Sequence, residues 1–507
     1  MKVELTVRDF LERAVTVYPD RIGVIDEPDQ VAPSLGSLTY RQVGEYAASM
    51  AAGLDALGIA QGERVAIVSQ NAARLYLAFF GVSAWGRVLV PINFRLSATE
   101  ISYIVEHSGA TVLLIDPELA DDLAGVECAH RFVIGEESDA IMFRFGVEPE
   151  AWVPEEDATA TINYTSGTTA RPKGVELTHR NLWLNATVFG WQCGVNDRDV
   201  YLHTLPMFHC NGWGQVYGAT AMGVTHVVLR KVDGAEILRR IDRHGVTLLC
   251  GAPAVATMVL DAADGGHSSA RVRMVVAGAP PPTRTIERIE AELGWEFIQI
   301  YGLTETAPLL TMNRSRAEWD DLSASDRAAK LVRAGAPALG VSLRIDGQGE
   351  VLARCNHVLE GYWAQPEATA DAIVDGWFHT GDGGDLDDEC YLTISDRKKD
   401  VIISGGENIS SIEVEDAVFS HPDVAEVAVI GVPSDKWGET VMALVVVATG
   451  ATVTEADLIA HCRERLAHYK CPKIVEFRDE LARTATGKLQ KFKLRAPYWE
   501  GRDRQVN

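Results

Sequence analysis

The chain has 507 residues, 47% of them hydrophobic and 23% charged, the balance of a soluble globular protein too long for one ordinary core. Its 47 lysines and arginines stand against 71 acidic residues, a formal charge of −24, which excludes a general nucleic-acid binder built on basic stripes. Apolar runs such as Ala443 to Ala448 are too short for a transmembrane segment, and Glu4, Asp9 and Glu12 exclude a signal peptide. Eight cysteines without a CxxC pair argue against zinc and for a reducing compartment, so a cytoplasmic protein is expected.

Along the chain, Thr6 to Val15 read as an amphipathic helix capped through Asp9. RVAIV at 64–68 and VLVPI at 88–92 read as buried strands around a helix near Ala72 to Ala84, a βαβ unit with a parallel sheet. The alternation recurs with strands at 225–229, 247–249, 272–276 and 296–301 and helices at 235–244 and 283–293. Residues 313–333 are polar and read as surface helix and loop, and 335–394 as short strands with glycine turns. After 395–408 comes a compact unit. It has a helix from about Ser411, strands at 424–430 and 441–447, a helix capped by Thr454 with Asp457, and a strand at 473–477. The expected fold class is α/β. A large N-terminal domain (1–396) of layered doubly wound sheets with a small β subdomain precedes a small mobile α+β C-terminal domain (397–507).

The most informative stretch is YTSGTTARPKGV at 164–175. Gly167 and Gly174 permit close backbone approach. The hydroxyls of Thr165, Ser166, Thr168 and Thr169 and the backbone N–H groups between them suit phosphate oxygens, and Lys173 adds a point charge. The loop is therefore read as a polyphosphate binder. It lacks the Walker spacing, and the chain has no GxGxxG, HExxH or GxSxG. In so acidic a protein, positive charge must be focused locally.

Four more segments follow in order: YGLTE at 301–305, TGD at 380–382, SDRKKDVIISGGENI at 395–409 and TATGKLQK at 484–491. Together the five resemble the adenylate-forming superfamily of acyl-CoA synthetases, luciferases and peptide-synthetase adenylation domains, from about residue 8 to residue 495. On the residues themselves, Tyr301 can stack on a base and Glu305 can hold Mg²⁺, a hard ion that favours oxygen. The resemblance implies a metal between Glu305 and Thr165, and adenine beside Gly278, Ala279 and Pro280. It sets Gly302 and Thr304 among the nucleotide contacts, and Asp382 and Arg397 on the ribose and phosphate. Lys399 matches the interdomain hinge. Lys488 matches the lysine that bridges the substrate carboxylate and the α-phosphate, where like charges must be brought together. Ser404, Gly405, Gly406 and Glu407 match the strand lining the pantetheine tunnel. LPMFHCNGW at 205–213 matches the acyl-pocket segment, with Gly278 and Leu303 against the acid and His209 open between gating and direct contact.

The activity this implies is that of an ATP-dependent acyl-CoA synthetase using ATP, Mg²⁺ and CoA on a carboxylic acid, fatty or aryl. Transfer to a carrier protein, luciferase-like oxidation and a non-catalytic nucleotide or lipid sensor are the rivals, and a homodimer is left open. The sequence departs from the family pattern at Ala170, where glycine is usual, at Gly383 for an apolar residue, at Cys390 for a turn glycine and at Ala482 for a proline. None removes a catalytic group; these departures bear on loop order.

Overall fold

The computed structural model describes residues 1–165, 171–263, 271–279, 281–397, 400–404, 407–434, 437–484 and 489–500. A seven-stranded sheet runs in the order Gly361–Tyr362, Lys173–Thr178, Thr159–Thr165, Val88–Ile92, Arg64–Val68, Ala110–Ile115, His130–Val133. Its last five strands are parallel, and the first two pair antiparallel. Val88–Ile92 is buried along its whole length, as the unbroken apolar run of a sheet covered on both faces requires.

The second sheet has nine strands, in the order Ala336–Pro337, Leu309–Arg314, Glu296–Gly302, Arg273–Val276, Leu248–Gly251, Val200–His203, Thr225–Val228, Ile22–Ile25, Ser37–Thr39. Val200–His203 lies between Thr225–Val228 and Leu248–Gly251, so the winding reverses there. Crevices outside the carboxyl ends of strands at such a reversal are where open α/β sheets take ligands. The chain leaving that strand is the segment that carries His209.

A five-stranded sheet joins Ser342–Ile345, Glu350–Arg354, Trp377–Leu386 and Ile373–Val374, with Leu392–Arg397 paired to Trp377–Leu386. The C-terminal unit has its own sheet: Glu407–Ile409, Ile402–Ser404, Gly438–Val447 and Val424–Ser434, with Ile474–Phe477 parallel to Gly438–Val447. Its apolar core includes Ile402, Val414, Val429, Ala443 and Leu458. The Thr454–Asp457 capping box forms as read.

Three expectations shift. The first helix is Arg8–Val17, two residues later than read, because Thr6 and Asp9 bond across the turn before it. Within the polar stretch 313–333, Asn313 and Trp319 are buried, Asn313 by donating to the carbonyls of Lys330 and Arg333. The β subdomain lends Ala336–Pro337 to the nine-stranded sheet and Gly361–Tyr362 to the seven-stranded one. Among the described residues, no helix is long and apolar enough to cross a membrane.

The C-terminal unit touches the rest at identifiable points. Helix Thr283–Leu293 has no side-chain cap of its own. The Thr283 N–H donates instead to Asp416 Oδ1 at 2.9 Å, and the Thr283 hydroxyl lies 3.2 Å from Oδ2. Arg284 donates to the His421 carbonyl at 3.3 Å.

Candidate active site

The two ends of the stretch 164–175 pair as the arms of a hairpin. Strands Thr159–Thr165 and Lys173–Thr178 pair antiparallel, with Tyr164 opposite Gly174 and Thr165 opposite Lys173. Thr165 and Lys173 thus face each other where the loop leaves the sheet. Ser166, Gly167, Thr168, Thr169 and Ala170 lie outside the described residues. Gly174 is required by packing, since a Cβ there would meet Ile162 Cγ2 at 2.9 Å and Tyr164 Cζ at 3.0 Å. The Tyr164 hydroxyl bonds His107 Nδ1 at 2.8 Å, and burial lowers the His107 pKa, favouring the neutral ring.

Glu305 follows the strand Glu296–Gly302 in a one-turn helix, Thr304–Thr306. The turn is tight: a Cβ on Gly302 would fall 1.5 Å from the Pro308 carbonyl oxygen, so only glycine fits. Thr306 Oγ1 donates to the Pro308 carbonyl at 2.6 Å and accepts from the Leu303 N–H at 3.0 Å. The Glu305 carbonyl accepts from Leu359 N–H at 2.7 Å. Its carboxylate Oε1 accepts from the Tyr362 hydroxyl at 2.9 Å. Burial first, and the Glu305 charge second, push the Tyr362 phenol up, so it keeps its proton and donates. The ring of Tyr362 also seats the Lys173 ammonium, 4.5 Å from its centroid. Tyr362 therefore joins the phosphate hairpin to the YGLTE turn. Tyr362 belongs to none of the five motifs; its one mark in the sequence is the aromatic pair Tyr362-Trp363 behind Gly361.

Tyr301 and Asp382 are connected as well. Tyr301 donates its hydroxyl to Asp382 Oδ2 at 2.8 Å. Asp382 is buried, its N–H donates to Thr380 Oγ1 at 3.1 Å, and its backbone pairs with Arg397. Gly278 is exposed with φ +93°, a conformation that glycine adopts without strain, and Ala279 beside it is half-buried.

The segment 205–213 contains a left-handed turn. Cys210, Asn211, Gly212 and Trp213 have φ of 46°, 53°, 58° and 57°, three of them without glycine's freedom. A buried ring of side-chain hydrogen bonds holds it. Thr161 donates to Asn163 Oδ1 at 2.9 Å, Asn163 to Asn211 Oδ1 at 3.0 Å, and Asn211 back to Thr161 Oγ1 at 3.0 Å. Thr161 and Asn163 lie two apart on the phosphate strand, hence on one face of it. The turn also approaches the YGLTE segment, with Cys210 Sγ 3.9 Å from the Thr304 carbonyl. His209 is half-buried, its N–H donates to the Pro206 carbonyl at 3.1 Å, and Phe208 packs edge-on against Phe94.

Residues from five distant segments thus meet: Thr165 and Lys173, Tyr301 through Glu305, Tyr362, Asp382, and the turn at 209–213. Ser404 and Glu407 face each other in the edge hairpin of the C-terminal sheet, Ser404 also pairing with Gly438. Pro280, Lys399, Gly405, Gly406 and Lys488 lie outside the described residues. On either side of 485–488, Arg483 bridges Leu489, and Gln490 N–H donates to the Ala482 carbonyl at 2.8 Å. The Glu305 carboxylate and Thr165 hydroxyl are hard oxygen donors of the kind magnesium takes. Among the described residues, no group of three His, Cys, Asp or Glu offers a rival metal site.

Comparison with known proteins agrees with this architecture. Residues 11–363 match the AMP-binding enzyme family and residues 413–488 the AMP-binding enzyme C-terminal domain. The 2-methylpropanoate–CoA ligase of Humulus lupulus is 38% identical over 97% of this chain and 94% of its own length. The peroxisomal butyrate–CoA ligase of Arabidopsis thaliana is 35% identical over 97% of this chain and 93% of its own. The o-succinylbenzoate CoA synthetase of Bacillus subtilis, solved with its acyl-adenylate OSB-AMP, superposes with a TM-score of 0.82 at 30% identity over 96% of this chain and 97% of that one. The same enzyme has been solved with ATP and a magnesium ion. The chain belongs to the AMP-binding enzyme family, the acyl-CoA synthetase branch of the adenylate-forming superfamily.

Proposed function

We propose that this chain is an ATP-dependent acyl-CoA synthetase that makes an acyl-adenylate and then an acyl-CoA thioester. The observation that carries the reading is the convergence of Lys173, Glu305 and Tyr362 beside the Tyr301–Asp382 pair, with the turn at 210–213 reaching the Thr304 carbonyl. In the first step, an oxygen of the acid attacks the α-phosphorus, the α–β bridge breaks and pyrophosphate leaves. Lys173 and the hydroxyls and N–H groups of residues 165–169 hold the β- and γ-phosphates. Asp382 accepts from the ribose hydroxyls, Arg397 donates to ribose and phosphate, and the adenine lies along 278–280 against Tyr301. Bound between Glu305 and Thr165, magnesium would neutralise charge on the phosphates. Lys488 offsets the repulsion between carboxylate and α-phosphate.

The acid occupies the crevice lined by His209, Gly278 and Leu303. In the second step the C-terminal unit, 397–507, turns about Lys399, and Ser404 to Glu407 guide the pantetheine arm. The thiol, having lost its proton, attacks the acyl carbonyl, and AMP leaves. The relatives' names, 2-methylpropanoate and butyrate, favour a short acid over a long one. The cytoplasm is the compartment this reading favours, since all eight cysteines are free thiols. The reaction needs one chain, and light scattering decides whether a homodimer forms.

Lys488→Ala is the decisive variant. Acid-dependent ATP–pyrophosphate exchange should fall by about 10²–10³-fold, the loss typical of one charge-stabilising donor. Thioester formation from supplied acyl-adenylate and CoA should persist. If exchange persists and only thioester formation stops, the assignment is wrong.

A further inference from the structure

We propose that Tyr362 is a positioning residue for the metal carboxylate: its phenol fixes the orientation of Glu305 while its ring seats the Lys173 ammonium. The inference rests on the assignment of Glu305 as the magnesium ligand.

Tyr362 is 9% exposed. One of its ends bonds Glu305 Oε1 at 2.9 Å, and the face of its ring lies 4.5 Å from the Lys173 ammonium. Such a contact restrains the carboxylate only if the tyrosine is itself held, and it is held from three sides. Gly361 and Tyr362 pair with Glu176 and Val175 of the phosphate hairpin. The Tyr362 N–H donates to Thr369 Oγ1 at 2.9 Å. Next to it, the Trp363 N–H donates to the Gly174 carbonyl and the indole to the His107 carbonyl, at 2.7 and 3.1 Å. Gly361 keeps this strand close to helix Pro366–Ala372, where a Cβ would already stand 3.2 Å from Thr369 Oγ1.

The same segment grips Glu305 twice, through Leu359 N–H on its carbonyl and Tyr362 on its carboxylate. A free glutamate carries rotamer freedom that metal binding would have to remove, and a partner that removes it beforehand strengthens binding. The β subdomain that donates this strand to the seven-stranded sheet therefore has a task at the site. It locks the carboxylate and the lysine into one frame.

The test titrates enzyme into preformed Mn²⁺–ATP without acid and reads the large enhancement of water proton relaxation that enzyme-bound Mn²⁺ gives. It compares wild type, Tyr362→Phe, Glu305→Gln and the double variant. Tyr362→Phe keeps the ring and removes only the hydroxyl, and it should weaken Mn²⁺ binding by about 10–100-fold, as loss of a ligand's supporting hydrogen bond does. Glu305→Gln should weaken it at least as much, and the double variant no further. Half-saturation by Mg²⁺ in pyrophosphate exchange should rise in Tyr362→Phe while KM for the acid stays put, a split that general loosening would not give. Tyr362→Leu, lacking the ring as well, should also raise KM for ATP. Wild-type Mn²⁺ binding in Tyr362→Phe beside a weakened Glu305→Gln overturns this inference and spares the metal assignment. Losses that multiply in the double variant overturn it too. Wild-type binding in Glu305→Gln overturns the metal assignment itself.

Discussion

Replacing Asn211 separates two contributions to the left-handed turn at 210–213. Asn211→Gly keeps a residue at ease at φ +53° but deletes the amide that closes the ring with Thr161 and Asn163. Asn163 Nδ2 then loses its 3.0 Å acceptor and keeps the Phe208 carbonyl at 3.4 Å. Thr161 Oγ1 loses a donor but still donates to Asn163. The N–H stranded on Asn163 costs about 1–3 kcal/mol and the bond lost to Thr161 about 1 more, so the glycine variant should lose about 2–4 kcal/mol. Asn211→Ala should lose about 1 kcal/mol more, because a Cβ without asparagine's local hydrogen bonding is disfavoured in the left-handed region. At about 2.1 cal/mol/K of unfolding entropy per residue, a domain of about 400 residues shifts by roughly 1.2 °C per kcal/mol. The expected drops in Tm are therefore about 4 °C for glycine and 5 °C for alanine.

Differential scanning fluorimetry reads the shift, and a cycle with Thr161→Val isolates the ring, with an expected coupling of about 1 kcal/mol. Because the ring braces the turn at 210–213, in the segment proposed to line the acid site, loosening it should raise KM for the acid before it affects KM for ATP. Additivity of Thr161→Val and Asn211→Gly within about 0.3 kcal/mol would refute the account.

Other consequences are equally specific. Cys390 is exposed at φ +62°, where the family pattern has glycine, so Cys390→Gly should raise stability by about 0.5–1 kcal/mol, read as a higher urea midpoint. Burial pushes the His357 pKa down to about 4, and its Nε2 lies 2.6 Å from the Leu309 carbonyl. The folded protein therefore refuses a proton that the unfolded chain accepts near pH 6.5; stability is full above that pH and falls by about 1.4 kcal/mol per unit down to about 4. His357→Gln keeps the donor, and an unchanged acid slope of the unfolding free energy would refute the assignment. Asp416→Ala uncaps helix Thr283–Leu293, at a cost of about 1 kcal/mol. Hydrogen exchange at Thr283 should speed up about fivefold, and unchanged exchange would mean the cap does not matter in solution.

Much of this was legible in the residues. The helix read at 283–293 and the strands read at 64–68 and 88–92 form over those residues, because helical periodicity and β-branched runs are local signals. What escaped was decided at long range. Gly361–Tyr362 and Ala336–Pro337 are two residues each, too short for periodicity, and only their partner strands make them strands. Trp319 hides in a polar stretch because its burial comes from packing with Tyr391 and helix Ala324–Leu331. The motifs named Tyr301 and Asp382 separately, but spacing could not show that one hydroxyl joins them. The ring at Asn211 spans 50 residues from Thr161, and no local pattern marks it.

The proposed cations come from separately built units, and that bears on the direction of the chemistry. Lys173 stands on the hairpin of the seven-stranded sheet and Arg397 at the end of a strand in the β subdomain. Lys488 falls in the sequence between Arg483 and Leu489, which bridge each other in the C-terminal unit. In a chain of net charge −24 the background field repels a triphosphate, so each local cation counts. Bringing a carboxylate to about 4 Å from a phosphate charge costs about 4 kcal/mol at an effective dielectric of 20, and one inserted ammonium offsets a comparable amount. That amount is a factor of about 10³ in rate. The same factor governs the reverse attack of pyrophosphate on the acyl-adenylate. The proposed swing, by withdrawing Lys488 to admit the thiol, would therefore also close the way back, and Lys488→Ala should slow adenylate formation and its reversal by pyrophosphate equally.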